Sequence, residues 1–179
     1  MKRVFAAIDI SEDVREEIRN YIAGLRAVSN GVPVKWEKPE KLHITVKFAG
    51  AVDESQLEAL GEQIQAVTSS LTPFQMKIAA TGAFLKRRGP SVLWLGTEVV
   101  SAADDPFAVL AGLSEKRTFR PHLTIARIKN PRTAKDMIER HKKSVFESVS
   151  FDVSELVIYE STLLTTGSIY SKLADYPLG

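Results

Sequence analysis

Two segments of this chain carry the same short pattern, a histidine and a threonine two residues apart among apolar residues: Leu42-His43-Ile44-Thr45-Val46 and Pro121-His122-Leu123-Thr124-Ile125. The chain has only three histidines, so this pattern holds two of them. In a β-strand alternate side chains share a face. His43 and Thr45 therefore point one way, and Leu42, Ile44, Val46 and Phe48 the other. His122 and Thr124 oppose Leu123 and Ile125 in the same manner. Each strand has an apolar side for a core and a His/Thr side for work. A lone histidine in an apolar strand is more often structural; a matched pair with the same spacing reverses that expectation.

Two imidazoles facing one cleft suit general acid–base chemistry. An ordinary imidazole titrates near 6.5, so one ring can accept a proton while the other donates one. A hydroxyl beside each imidazole can donate to an oxygen of a bound anion, and two His/Thr pairs suit a tetrahedral phosphate. Lys47 shares the His43 face by alternation, and Arg120 the His122 face. Lys86, Arg87 and Arg88 form a basic loop that suits the rim of a polyanion site. Arg127 lies five positions past His122, and strict alternation turns it away; it reaches the cleft only if the strand bulges or ends first. Trp36, Phe48 and Phe84 suit base stacking but are more often core residues, and alternation sets Phe48 away from His43. His141 reads as a solvent-exposed residue on a polar helix. No third ligand accompanies the two histidines, so no metal and no cofactor are expected.

The elements that must position these residues follow in order. Residues 3–9 read as a buried strand. Ser11 caps a helix with the stripe Val14, Ile18, Tyr21, Ile22 and Leu25. Asn30-Gly31-Val32-Pro33 ends it, and Val34 to Trp36 form a short strand. The first His strand runs to Ala49-Gly50. Asp53 and Gln56 make a capping box for a helix through Leu57, Leu60, Ile64 and Val67. Phe74 to Phe84 and Ser91 to Gly96 read as strands, and Asp105-Pro106 opens a short helix. The second His strand spans about Phe119 to Ile128. A helix near 134–143 and strands near 149–160 and 168–174 complete the chain. This weak internal repeat, one His/Thr strand per half, predicts an α+β fold. Two pseudo-symmetric lobes, each an antiparallel sheet with outer helices, would then flank a central groove, residues 1–179 forming one bilobal domain.

The bulk numbers fit. The chain has 179 residues, no cysteine and a net charge of +2. That excludes disulfides and thiol chemistry and suits a cytoplasmic protein. The small net charge requires any nucleic-acid contact to come from a local basic patch. No apolar run is long enough to span a membrane. The start, Met1 to Asp9, meets an acid too soon for a signal peptide.

With these residues in hand, the sequence resembles the 2H phosphoesterase superfamily. Lys35-Trp36, Gly82-Ala83-Phe84, Val92-Leu93-Trp94-Leu95-Gly96, Phe119-Arg120 before the second motif, Ala126-Arg127 after it, and Tyr159-Glu160-Ser161 extend the likeness to the RNA 2′,3′-cyclic phosphodiesterases, also called the 2′-5′ RNA ligase family. Ala49-Gly50 stands where that family more often has Leu-Gly, and the stretch between Gly96 and Phe119 is shorter than usual. The resemblance implies metal-independent hydrolysis of a 2′,3′-cyclic phosphate at an RNA 3′ end, leaving a 2′-phosphate. It implies His122 as general base, His43 as general acid, and Thr45, Thr124 and Arg127 as phosphate-binding residues. The expected partners are RNA ends, including tRNA fragments or small nucleotides, with the protein acting as a monomer. The alternatives are cleavage or ligation of 2′-5′ linkages, or an RNA-end binding protein without turnover. Permanently charged Arg or Lys would serve pure binding better than imidazole.

Overall fold

The computed structural model describes every residue except Asn30, 87–89, 114–119 and Thr166. The elements are β1 (Lys2–Asp9), α1 (Glu12–Ala27), β2 (Val34–Trp36), β3 (His43–Val52), α2 (Glu54–Thr68), β4 (Phe74–Phe84), β5 (Ser91–Ser101), α3 (Pro106–Ala111), β6 (His122–Ile128), α4 (Lys135–Lys143), β7 (Phe151–Val153), β8 (Glu155–Leu164) and β9 (Gly167–Pro177). A single 3₁₀ turn, Pro39–Lys41, precedes β3. The fold is α+β, as the alternation of elements predicts.

All described strands join one sheet in the order β7-β4-β5-β6-β3-β1-β8-β9, with β2 alongside β6. The order is the internal repeat made visible. One half reads β3-β1-β8-β9 outward, the other β6-β5-β4-β7, and the two His strands are the innermost of each. They meet in a single antiparallel pair, Ile44 with Leu123. Every other described pairing is also antiparallel.

The helices form where predicted. Ser11 Oγ accepts from Val14 N–H, and α1 buries Val14, Ile18, Ile22 and Leu25. Asp53 and Gln56 close the capping box of α2, a device worth about 1 kcal/mol. These helices cover the sheet face that carries Val4, Ala6, Ile8, Ile44, Leu123 and Ile125, and the side chains of both halves merge into one hydrophobic core. Among the described residues no helix is long and apolar enough to cross a membrane.

The predicted strand near 149–160 is two strands, β7 and β8, divided at Ser154. The observed β6 begins at His122, and the predicted strand start at Phe119 lies outside the described residues, as do Arg87 and Arg88. His141 requires a correction. It is fully buried, not solvent-exposed. Its Nε2 lies 3.1 Å from both Gly82 O and Trp94 O. Carbonyls only accept, so Nε2 carries the proton, and Tyr21 O–H donates to Nδ1 at 2.8 Å. Ala134, Met137, Ile138 and His141 form one buried stripe on α4, and the histidine clamps that stripe to β4, β5 and α1.

Candidate active site

The pairing of Ile44 with Leu123 dictates the site. Both residues point into the core and are fully buried. Their neighbours His43, Thr45, His122 and Thr124 therefore project from the other face, and all four are half-buried. Continued antiparallel, that register sets His43 beside Thr124 and Thr45 beside His122. Two copies of one pattern, paired antiparallel, give a local twofold arrangement of two imidazoles and two hydroxyls.

Each imidazole is held in the same way. His43 Nδ1 lies 2.7 Å from Lys41 O, and His122 Nδ1 lies 2.8 Å from Arg120 O. A carbonyl two residues upstream thus fixes the proton on Nδ1 and leaves the Nε2 lone pair for chemistry. Thr45 Oγ1 is 3.1 Å from His43 Nε2. The Lys41 carbonyl is itself steadied from both sides. Arg15 donates to Pro39 O at 2.5 Å and Leu42 O at 3.2 Å, while Lys41 Nζ bonds Ser168 O and lies over the Tyr170 ring.

The rings around the two histidines differ. His43 stacks on Phe5 at 4.7 Å between centroids and meets the edge of Tyr170 at 5.4 Å. Burial against these rings holds its pKa below the ordinary imidazole value, opposed by the Lys41 carbonyl and by Asp9 and Glu37. Asp9 pairs with His43 across β1 and β3, and Tyr159 O–H donates to its Oδ2 at 2.7 Å. Burial and that carboxylate push the Tyr159 phenol well up, so it remains a donor. On the other side, Phe84 meets His122 edge-on at 5.1 Å and Trp94 lies 6.4 Å away. The Trp94 indole covers Gly82, where a Cβ would come within 2.1 Å of the ring.

Two β-bulges decide which further residues reach this face. On β6, Thr124 pairs with Trp94 but Ala126 with Leu93, so Ile125 is an extra residue. The alternation is reset, and Arg127 joins the face of His122 and Thr124, the escape that strict alternation forbids. Its Nε–H donates to Glu37 Oε1 at 3.1 Å. On β3, Thr45 pairs with Ala7 but Lys47 with Ala6, so Val46 is extra in the same place. This overturns two expectations. Lys47 does not share the His43 face; it turns to the helix side, where Nζ donates to Gln63 of α2 at 3.3 Å. Phe48 does not face away from His43; it pairs with Phe5, their rings are 6.0 Å apart, and it is 73% exposed. Phe48 and Arg127 thus hold equivalent places after the two bulges.

The remaining residues are scattered. Arg120 is exposed and serves His122 through its carbonyl. Lys86 is exposed, with its backbone N–H on Ser91 Oγ. Trp36 packs against the core under Arg26. Sequence reasoning gave no role to Phe5, Asp9, Arg15, Glu37, Tyr159 and Tyr170, because each lies away from the two motifs and comes beside them only through the tertiary fold. Among the described residues no three His, Asp or Glu side chains gather as a metal-binding group. A cavity of about 780 Å³ between α2 and Tyr176 has an acidic lining and holds neither histidine.

Comparisons with known proteins show the family. The model of the LigT-like phosphoesterases matches residues 8–94 and 100–170, and the chain belongs to that family. A Methanocaldococcus jannaschii protein named RNA 2′,3′-cyclic phosphodiesterase is 33% identical, covering 97% of this chain and 99% of its own length. A Thermotoga maritima protein of the same name is 30% identical over 97% of this chain and 94% of its own. The apo crystal structure of E. coli LigT superposes with a TM-score of 0.73, covering 99% of this chain and 97% of that one at 22% identity. Its complex with 3′-AMP gives 0.72. These two likenesses concern the fold.

Proposed function

We propose that this protein hydrolyses the 2′,3′-cyclic phosphate ends of RNA to 2′-phosphates, without a metal ion, by a two-histidine acid–base mechanism. The observation that carries the reading is the twofold placement of two His/Thr pairs with both Nδ1 atoms tied to carbonyls. His122 Nε2 takes a proton from water as the water oxygen attacks phosphorus. The bond from phosphorus to O3′ breaks, and His43 Nε2–H delivers a proton to that oxygen. Thr45 and Thr124 donate to the non-bridging oxygens, and Arg127 presents its guanidinium to the phosphate. Burial makes the His43 imidazolium a stronger acid, which suits donation to an alkoxide leaving group. The relatives carry the name of this activity over nearly the whole chain. Arg120 and Lys86 serve as rim contacts for the RNA in this reading. Arg87 and Arg88, outside the described residues, continue that rim in the sequence. In this reading the enzyme acts as a monomer in the cytoplasm, a reducing compartment that the lack of cysteine suits.

The near-twofold site favours one further reading, reversible joining: a 5′-hydroxyl replaces water as the nucleophile, O3′ leaves as before, and the product is a 2′-5′ linkage, whose cleavage runs the same steps backward with the proton roles exchanged. Product analysis on an RNA with a 2′,3′-cyclic end separates the two. A 2′-phosphate is expected, with activity retained in EDTA. His43→Ala or His122→Ala should each lower kcat/KM by about 10²–10⁴-fold. Full activity in either variant would overturn the mechanism, and a loss in EDTA restored by zinc would overturn its metal independence.

A further inference from the structure

Glu37 stands beside Arg127, and no step above uses it. It follows β2 directly, and its backbone N–H donates to Ile125 O at 2.9 Å, the carbonyl of the extra residue in the β6 bulge. The bulge that turns Arg127 into the groove therefore also anchors Glu37 beside it. The Glu37 side chain is 18% exposed and accepts from Arg127 Nε–H at 3.1 Å, whereas Arg127 is 45% exposed. Using Nε for this contact leaves both terminal nitrogens of the guanidinium directed elsewhere. The same carboxylate acts electrostatically on His43 and on Tyr170, which lie in the other half. A negative charge thus sits within reach of both the arginine and the histidine that flank the phosphate position.

Substrate and product differ in charge. A cyclic phosphodiester carries one negative charge. A ring-opened phosphomonoester loses a second proton near pH 6 and approaches two charges above neutrality. An unpaired guanidinium would favour the doubly charged product and retain it. We infer that Glu37 is a charge filter: by pairing with Arg127 and keeping a carboxylate beside that guanidinium, it penalises the phosphomonoester product relative to the cyclic diester substrate. The product then leaves, and phosphomonoesters in general are poor competitors. This inference rests on the phosphodiesterase reading above.

The test uses the intact protein at about pH 7.5, above the second phosphate pKa. The inhibition constant of a nucleoside 2′-monophosphate and the KM of the matching 2′,3′-cyclic phosphate are measured for wild type and Glu37→Gln. The glutamine keeps an oxygen acceptor for Arg127 and removes only the charge. The 2′-monophosphate should bind about five- to tenfold more tightly in the variant, and KM should fall only about two- to threefold, because a single charge feels half the energy. An unchanged ratio of the two constants overturns the filter. So does an equal change in both, the result expected if Glu37 merely orients Arg127; Glu37→Ala should then weaken both ligands. Calorimetry with the 2′-monophosphate and the cyclic compound reads the same ratio without turnover. Failure of wild type to open any cyclic phosphate would refute the phosphodiesterase reading alone, and an unchanged affinity ratio would refute the filter alone.

Discussion

His43 and His122 share a tautomer lock but not an environment. Phe5 lies flat under His43 and Tyr170 closes its edge, and burial lowers its pKa. A group that must hold a proton to act loses activity as pH rises through its pKa. The limb of the kcat/KM profile that reports His43 should therefore lie below the ordinary imidazole value of about 6.5. Tyr170→Ala admits water to the ring and should move that limb toward higher pH, while the opposite limb stays in place. A steady-state pH profile of both proteins checks this, and a limb unmoved by the substitution would separate His43 burial from the rate. The shared face of His43, Thr45, His122 and Thr124 was legible in the sequence because a duplicated pattern of polar residues in apolar strands carries its own spacing. Asp9, Arg15, Glu37 and Tyr170 were not, since nothing local distinguishes them from ordinary surface residues.

At the scale of elements, the bulges at Val46 and Ile125 govern which side chains serve the site. A bulge is one extra residue, and Val or Ile there looks like any strand residue, so alternation misplaced Lys47 and Phe48 and left Arg127 unresolved. Arg127→Ala should raise KM for a cyclic nucleotide on the order of tenfold, whereas Lys47→Ala, on the helix side, should change kcat/KM by less than about twofold. Comparable losses in both would contradict the register. Gly82 gives a second prediction. A methyl group there collides with the Trp94 indole, so Gly82→Ala should cost about 1–3 kcal/mol of stability and lower kcat, read by thermal denaturation and initial rates. His141 ties α4 to the same hairpin. Its folded pKa is lowered by burial from 6.5, so the unfolded chain takes up the proton first. Stability should be highest above about pH 6.5 and fall as pH drops from there toward the lower folded value. His141→Gln should lower Tm at every pH but flatten that decline. The stripe Ala134, Met137, Ile138 and His141 has helical spacing, and that periodicity was the available signal for burial in an otherwise polar helix.

At the scale of the molecule, the two sheet halves meet in one backbone pair between β3 and β6, yet their side chains form one core. Residues 1–179 should therefore unfold in a single transition, with calorimetric and van't Hoff enthalpies in agreement. Two resolved transitions would show that the halves are separable. The layout of helices and strands was readable from periodicity and caps; the joining of both halves into one sheet was not, because it depends on a contact between residues 79 positions apart.

The repeated bulge has a last consequence, for directionality. Across the seam between β3 and β6 each histidine stands beside the other strand's threonine, so these four residues look alike to a strand entering from either side. The symmetry breaks one step later, where Phe48 offers a bare ring and Arg127 a cation leashed to an acid. A polynucleotide can distinguish its own head from its tail only at such a break. Any sense of polarity would therefore lie beside the histidine pair and not within it.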